Sequence, residues 1–149
     1  MKLTTKREDL VSKLSIVSRA VSTRAATQAL SGVLLSAAGG RVTLSATDLD
    51  MGLETALDAE VAAEGSALLP GRLLAEVARS LADATVEIEL REAERDVEIR
   101  SGSSSFHLRV LPAEDFPKLP TPGEAPGLKI PAQELGASID LVARAASRD

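Results

Sequence analysis

Ser66-Ala67-Leu68-Leu69-Pro70-Gly71-Arg72-Leu73-Leu74-Ala75-Glu76-Val77-Ala78-Arg79-Ser80-Leu81 is the stretch from which the fold can be read. Residues 66–69 read as a short strand and Pro70-Gly71 as a break. A helix is predicted over residues 71–81, with Leu73, Leu74, Val77, Ala78 and Leu81 at helical spacing. Three alternating runs follow, at residues 85–91, 96–100 and 105–110. The same order occurs upstream. Residues 2–4 read as a strand, 7–20 as a helix stapled by Leu10, Val11, Leu14, Val17 and Val21, and 30–37, 41–47 and 52–61 as strands. A third copy opens with Leu128-Lys129-Ile130 and a helix over residues 132–146 that would bury Leu135, Ile139, Val142 and Ala146, then stops. Repetition at this scale sets an architecture before any single residue does. The incomplete third copy leads us to expect a fragment of a longer polypeptide.

The strands alternate cleanly. Val86, Ile88 and Leu90 face one way and Thr85, Glu87, Glu89 and Arg91 the other; Val97 and Ile99 alternate with Asp96, Glu98 and Arg100. Such patterning marks an antiparallel sheet covered on one face, and two helices with apolar stripes supply the cover. The expected class is α+β: two helices packed on antiparallel sheet, in an internally duplicated strand-helix-strands unit, with an acidic outer sheet face. Thr5-x-x-Glu8 reads as a capping box for the first helix. Pro112, Pro117, Pro120 and Pro122 read as a linker. The expected domains are 1–122, and 123–149 as the beginning of a second.

Composition excludes several classes. The chain has 149 residues, 44% of them hydrophobic, and no apolar run near the ~20 residues of a membrane span. Its N-terminus lacks a secretory pattern and it has no cysteine, which rules out disulfides and zinc–cysteine sites and gives a cytoplasmic profile. Phe106 and Phe116 are the only aromatics, so base stacking on aromatic rings is not its chemistry. The net charge of −5 is unevenly spread: residues 1–24 carry Lys2, Lys6, Arg7, Lys13, Arg19 and Arg24 against Glu8 and Asp9, whereas residues 42–70 carry six acids and no cation. Positive charge gathers around the helices, negative charge around the strands.

No enzymatic constellation emerges. Asp48-Leu49-Asp50 lacks the remainder of a calcium loop and reads as a turn. His107 stands beside Ser103, Ser104 and Ser105 without an acid or oxyanion site to make a hydrolase. Gly39-Gly40 reads as a hairpin turn. No catalytic residue, metal or cofactor is expected. The arginines remain. Arg24 sits in a polar loop after the first helix, Arg72 in the first turn of the second, where the dipole also favours an anion, and Lys13, Arg19 and Arg79 share the helix layer.

Five motifs stand in order along the chain: Leu30-Ser31-Gly32-Val33-Leu34-Leu35, Ala46-Thr47-Asp48-Leu49-Asp50-Met51, Leu69-Pro70-Gly71-Arg72-Leu73-Leu74, Arg100-Ser101-Gly102 and Phe106-x-Leu108-x-x-Leu111-Pro112-x-x-Asp115-Phe116-Pro117. They resemble the N-terminal domain of the bacterial DNA polymerase III beta subunit, the sliding clamp. The resemblance implies a DNA-clamp fold and a head-to-tail homodimeric ring of repeated domains. Helices would line a hole that holds double-stranded DNA without reading its sequence, and sheets would form the outer wall. It implies DNA polymerase III and its clamp loader as partners of the full-length protein, and a processivity role without an active site. Arg24 and Arg72 match DNA-contact positions, with Lys13, Arg19 and Arg79 as inner-wall cations. Phe106, Leu108, Ser103 and Ser105 match the edge that meets the partner subunit. Where some family members carry basic residues, this chain has Ser103 and Ser105, which weakens the ion pairing expected there. The alternative is a non-enzymatic α+β protein-interaction module without a DNA role; a hydrolase built on His107 ranks behind both.

Overall fold

A computed structural model describes residues 1–22, 27–120 and 127–146. The chain divides into two compact units, Met1–Leu119 and Pro120–Asp149. In the first, β1 (Lys2–Lys6) runs directly into α1 (Arg7–Val17), which tightens into a 3-10 turn over Ser18–Ala20. β2 (Gly32–Ala38), β3 (Arg41–Thr47), β4 (Gly52–Leu57) and β5 (Ala59–Ala63) follow. The plan then repeats with β6 (Gly65–Pro70), α2 (Gly71–Ser80), β7 (Thr85–Arg91), β8 (Asp96–Ser101) and β9 (Ser104–Arg109). The second unit holds α3 (Ala132–Ala143).

The repeats exchange their opening strands. One antiparallel sheet has the order β5-β1-β7-β8-β9 and the other β4-β3-β2-β6. β1, which opens repeat one, pairs with β7 of repeat two, and β6, which opens repeat two, pairs with β2 of repeat one. The registers superpose the halves: the row Leu3–Ile88–Ile99–Phe106 corresponds to Ala67–Leu35–Leu44–Thr55. Leu3, Leu10, Leu14, Leu35, Leu44, Leu69, Leu74, Leu81, Ile88 and Ile99 all lie in one core between the helices and both sheets. Each fully buried aliphatic side chain contributes ~1.5–3 kcal/mol to it. Neither repeat closes that core alone.

The turns follow their residues. Gly39 and Gly40 adopt φ of 59° and 71° in the two-residue connection between Ala38 and Arg41, a left-handed pair that glycine adopts without a Cβ clash. Residues 52–61, expected as one strand, form two. The chain leaves the edge of one sheet after Leu57 and joins the edge of the other at Ala59. Asp58, at the crossing, has its backbone satisfied by side chains: its N–H donates to Asp9 Oδ2 at 2.9 Å and its carbonyl accepts from Thr5 Oγ1 at 2.7 Å. This displaces the expected capping box, because Thr5 is spent on Asp58 and α1 begins without a side-chain cap.

Repeat two makes the same crossing in shortened form. After β9, Leu111 pairs with Leu68 of β6 in a single bridge, its N–H donating to the Leu68 carbonyl at 2.8 Å. Pro112 has no N–H to continue the ladder. Residues 112–119 are thus not a free linker. They belong to the first unit, with Leu111 on β6 and Leu119 against Gly52 of β4, the two outer strands of the four-stranded sheet.

Three further expectations change. Leu128–Ile130 is not a strand, since it has no strand to pair with among the described residues. Leu135, Ile139 and Val142 are exposed rather than buried. The outer face of the five-stranded sheet is a mosaic rather than an acidic surface. Lys2 pairs with Glu89 at 2.9 Å, Arg100 with Glu98 at 2.8 Å and Arg91 with Asp96 at 2.7 Å.

Candidate nucleic-acid interface

α1 and α2 pack against each other antiparallel. At one end Arg7 Nη1 donates to the carbonyl of Leu81 at 2.9 Å. At the other, Gly71 lies so close to Val21 and Val33 that a Cβ there would sit 2.9–3.0 Å from their methyl groups. Glycine thus lets the first turn of α2 press onto the end of the first helix. Leu10, Leu14 and Val17 of α1 and Leu74, Ala75, Val77 and Ala78 of α2 face inward. Helical spacing then puts Glu8, Ser12, Ser15 and Arg19 outward on one helix and Arg72, Glu76 and Arg79 outward on the other.

The seam between the helices is a shallow groove of about 290 Å³ lined by Ser18, Val21, Arg72, Ala75, Glu76 and Arg79. Arg72 and Arg79 therefore reach the same groove, and Arg19 stands exposed beside Ser18. Arg72 Nε donates to Glu76 Oε1 at 3.1 Å, while Arg19 and Arg79 have no ion-pair partner among the described residues. Lys13 is not part of this group. It faces β4, 3.9 Å from Asp9, in a separate hollow lined by Gly40, Arg41 and Ala56–Ala59. Arg24 lies outside the described residues. On this exposed face Arg19, Arg72 and Arg79 outnumber Glu8 and Glu76.

At the other edge β9 pairs only with β8, leaving one side of its backbone unpaired within the sheet. Phe106 is half-buried there, Ser103 and Ser105 are exposed, and Ser105 Oγ donates to Glu98 Oε1 at 2.9 Å. Leu108, expected to meet a partner, is 2% exposed and belongs to the core, and it sits opposite Val97 of β8. The residue missed was Leu73. Expected inside, it is 46% exposed. Superposing the helices by their common start, Arg7 on Gly71, puts Leu73 at the position of Asp9, on the flank away from the other helix. That alignment was the available signal.

Outward charges on this sheet hold one another ionised. The Arg100 guanidinium, helped by the Ser105 hydroxyl, lowers the Glu98 carboxyl to about 2. Arg91 lowers Asp96, and Lys2 lowers Glu89. His107 Nδ1 accepts from Arg91 Nη2 at 3.0 Å and lies 3.3 Å from Asp96 Oδ2, whereas Ser105 bonds Glu98, so the histidine and that serine serve different partners. Asp48 Oδ1 accepts from the N–H groups of Asp50 and Met51 at 3.1 and 2.7 Å, which makes it the organiser of a turn. Among the described residues no cluster of acids and histidine has the makings of a metal site, and no helix is long and apolar enough to cross a membrane.

The chain is 35% identical over 149 residues to the beta sliding clamp of Streptomyces coelicolor, covering all of this chain and 39% of the relative. Its structure is similar to the pol III beta structure of Caulobacter crescentus, with a TM-score of 0.86, 36% identity, and coverage of 94% of this chain and 38% of that one. For the DNA polymerase III subunit beta of Pseudomonas aeruginosa the TM-score is 0.89 at 31% identity, covering 100% of this chain and 40% of that one. The chain thus spans about two-fifths of the length of these relatives. Residues 1–120 match the family model of the DNA polymerase III beta subunit, N-terminal domain, and the chain belongs to that family.

Proposed function

We propose that this chain forms one wall segment of a ring that encircles duplex DNA and holds a replicative polymerase on it, an accessory role without an active site of its own. The observation that carries the reading is the placement of Arg19, Arg72 and Arg79 on the exposed side of a packed helix pair whose other side buries the core. Phosphates meet these cations without sequence readout, so the ring is retained by topology and still slides. Arg24, which follows the first helix in sequence, joins them, and Lys13 adds to the field from the flank. The free edge of β9, with Phe106 and the exposed Leu73, receives a second subunit by strand addition, and Ser103 and Ser105 leave that contact with little ion pairing. The second unit opens a further domain of the same plan. Polymerase and clamp loader engage the complete protein.

The test is a chimera in which residues 1–120 replace the matching domain of the Streptomyces coelicolor clamp. It is expected to be loaded onto nicked circular DNA, to run off once the circle is linearised, and to support processive synthesis. Arg72→Ala with Arg79→Ala is expected to shorten its residence on the circle. A chimera that assembles yet shows no topological retention would sink the reading.

A further inference from the structure

We propose that Glu76 is a built-in competitor for the DNA phosphate at Arg72 and sets how loosely this wall holds the duplex; the proposal rests on the helical face being the DNA side. Arg72 and Glu76 lie one turn apart on the exposed face of α2, with Nε and Oε1 separated by 3.1 Å. Both are open to solvent, their side chains 89% and 54% exposed. An exposed pair of this spacing adds little to a helix. Its larger consequence falls on whatever approaches Arg72. Carboxylate and phosphate oxygens take the same guanidinium N–H donors, so a phosphate reaching Arg72 meets a donor already occupied.

The arrangement is particular to repeat two. In α1 the position corresponding to Glu76 is Ser12 and that of Arg72 is Glu8, so the first helix has neither the cation nor its competitor. In α2 the order Arg72, Glu76, Arg79 puts the carboxylate between two arginines that line one groove. As the duplex moves, Glu76 can take Arg72 back from a departing phosphate before the next arrives. Contacts won against an internal competitor are short-lived, and a wall that must let DNA pass depends on contacts that exchange.

Binding of the 149-residue chain to a short duplex, followed by fluorescence anisotropy across a low-salt series, tests this. Glu76→Gln frees Arg72 without changing side-chain size. It is expected to tighten binding about threefold or more at the lowest salt and to steepen the salt dependence by up to ~0.9, the slope of one added phosphate contact. Glu76→Asp keeps the charge and is expected to behave as the parent. In an Arg72→Ala background Glu76→Gln is expected to gain nothing. An unchanged slope for Glu76→Gln, or the same gain with Arg72 absent, would overturn the proposal, the latter reducing it to net charge. If Arg72→Ala weakens binding while Glu76→Gln has no effect, only this proposal falls. If Arg72→Ala has no effect, the DNA reading of the face falls with it.

Discussion

Asp9 and Leu73 occupy the same place in the two repeats, the third residue of α1 and of α2, and the two ends of the domain differ accordingly. In repeat one Asp9 accepts the Asp58 N–H, Thr5 donates to the Asp58 carbonyl, and the strand that crosses between sheets is fastened to the helix it passes. In repeat two the corresponding residues are Leu73, Leu69 and Arg109, none of which makes such bonds. The crossing strand there shrinks to one bridge at Leu111 before Pro112. A half-buried Phe106 takes the register position of Thr55. Duplication thus supplied two equivalent ends. Side-chain choice closed one and left apolar surface beside an unpaired strand at the other, which is what a strand-adding partner needs.

The largest expected effect tests the exchange of opening strands. Leu3 lies in repeat one yet is fully buried in the sheet of repeat two. Leu3→Ala is expected to cost ~2–5 kcal/mol. Because neither half closes the core alone, amide exchange should accelerate in both sheets together, along a single unfolding transition. Loosening confined to β7–β9 would show that the halves are separable.

Next comes the clasp. Thr5→Val leaves the Asp58 carbonyl without its side-chain donor, and Asp9→Ala removes the acceptor for its N–H. Thr5→Val is expected to cost ~1–2 kcal/mol in chemical denaturation, the usual penalty for stranding a partly buried polar group, and Asp9→Ala, whose bond lies in solvent, less. Exchange of the β5 amides should speed up more than that of β9. Equal change at both ends would erase the distinction drawn between the repeats.

How much of this was legible in the sequence follows from what each signal depends on. Period-2 and helical patterning are local, so β7, β8 and both helices of the first unit could be placed from their own residues. Strand partnership is not local. Nothing in Lys2-Leu3-Thr4 says that its neighbour is Ile88 and not Leu35. Glu87 and Glu89 looked acidic along the chain because Lys2 and Arg100, which face them, stand on the neighbouring strands. Leu73 fits the apolar stripe of its own helix, and only superposition on Asp9 reveals that its flank points outward. The arginines were found, but their grouping was not: Lys13 and Arg19 look alike in sequence and lie on different flanks of one helix.

The outer sheet gives a pH-dependent test. Glu98 ionises near 2 in the folded chain and at an ordinary carboxyl value when unfolded, so its contribution is fully present above about pH 4.5 and is lost as pH falls toward 2. Asp96 and Glu89 shift in the same direction. Thermal stability is therefore expected to fall over that window. Arg100→Ala removes the first cause of the Glu98 shift and should flatten the fall while leaving the closed end at Asp58 untouched. An acid transition of unchanged steepness in Arg100→Ala would assign it to other carboxylates.

The smallest effect on stability is expected at the open end. Leu73→Asp restores the acid of repeat one on a side chain that is already 46% exposed, and so should alter the stability of the chain by no more than ~0.5 kcal/mol. It cannot recreate the clasp, because the residue corresponding to Asp58 is Arg109 and the crossing strand ends at Pro112. What it changes is the partner's view. If the proposed partner covers this position when it docks on β9, a carboxylate there must be desolvated, and burying it unpaired costs far more than exposing it. Sedimentation of the chimera carrying Leu73→Asp should therefore show weakened self-association with unchanged unfolding. Unfolding that shifts as much as association would mean that Leu73 belongs to the core and that the second end is closed after all.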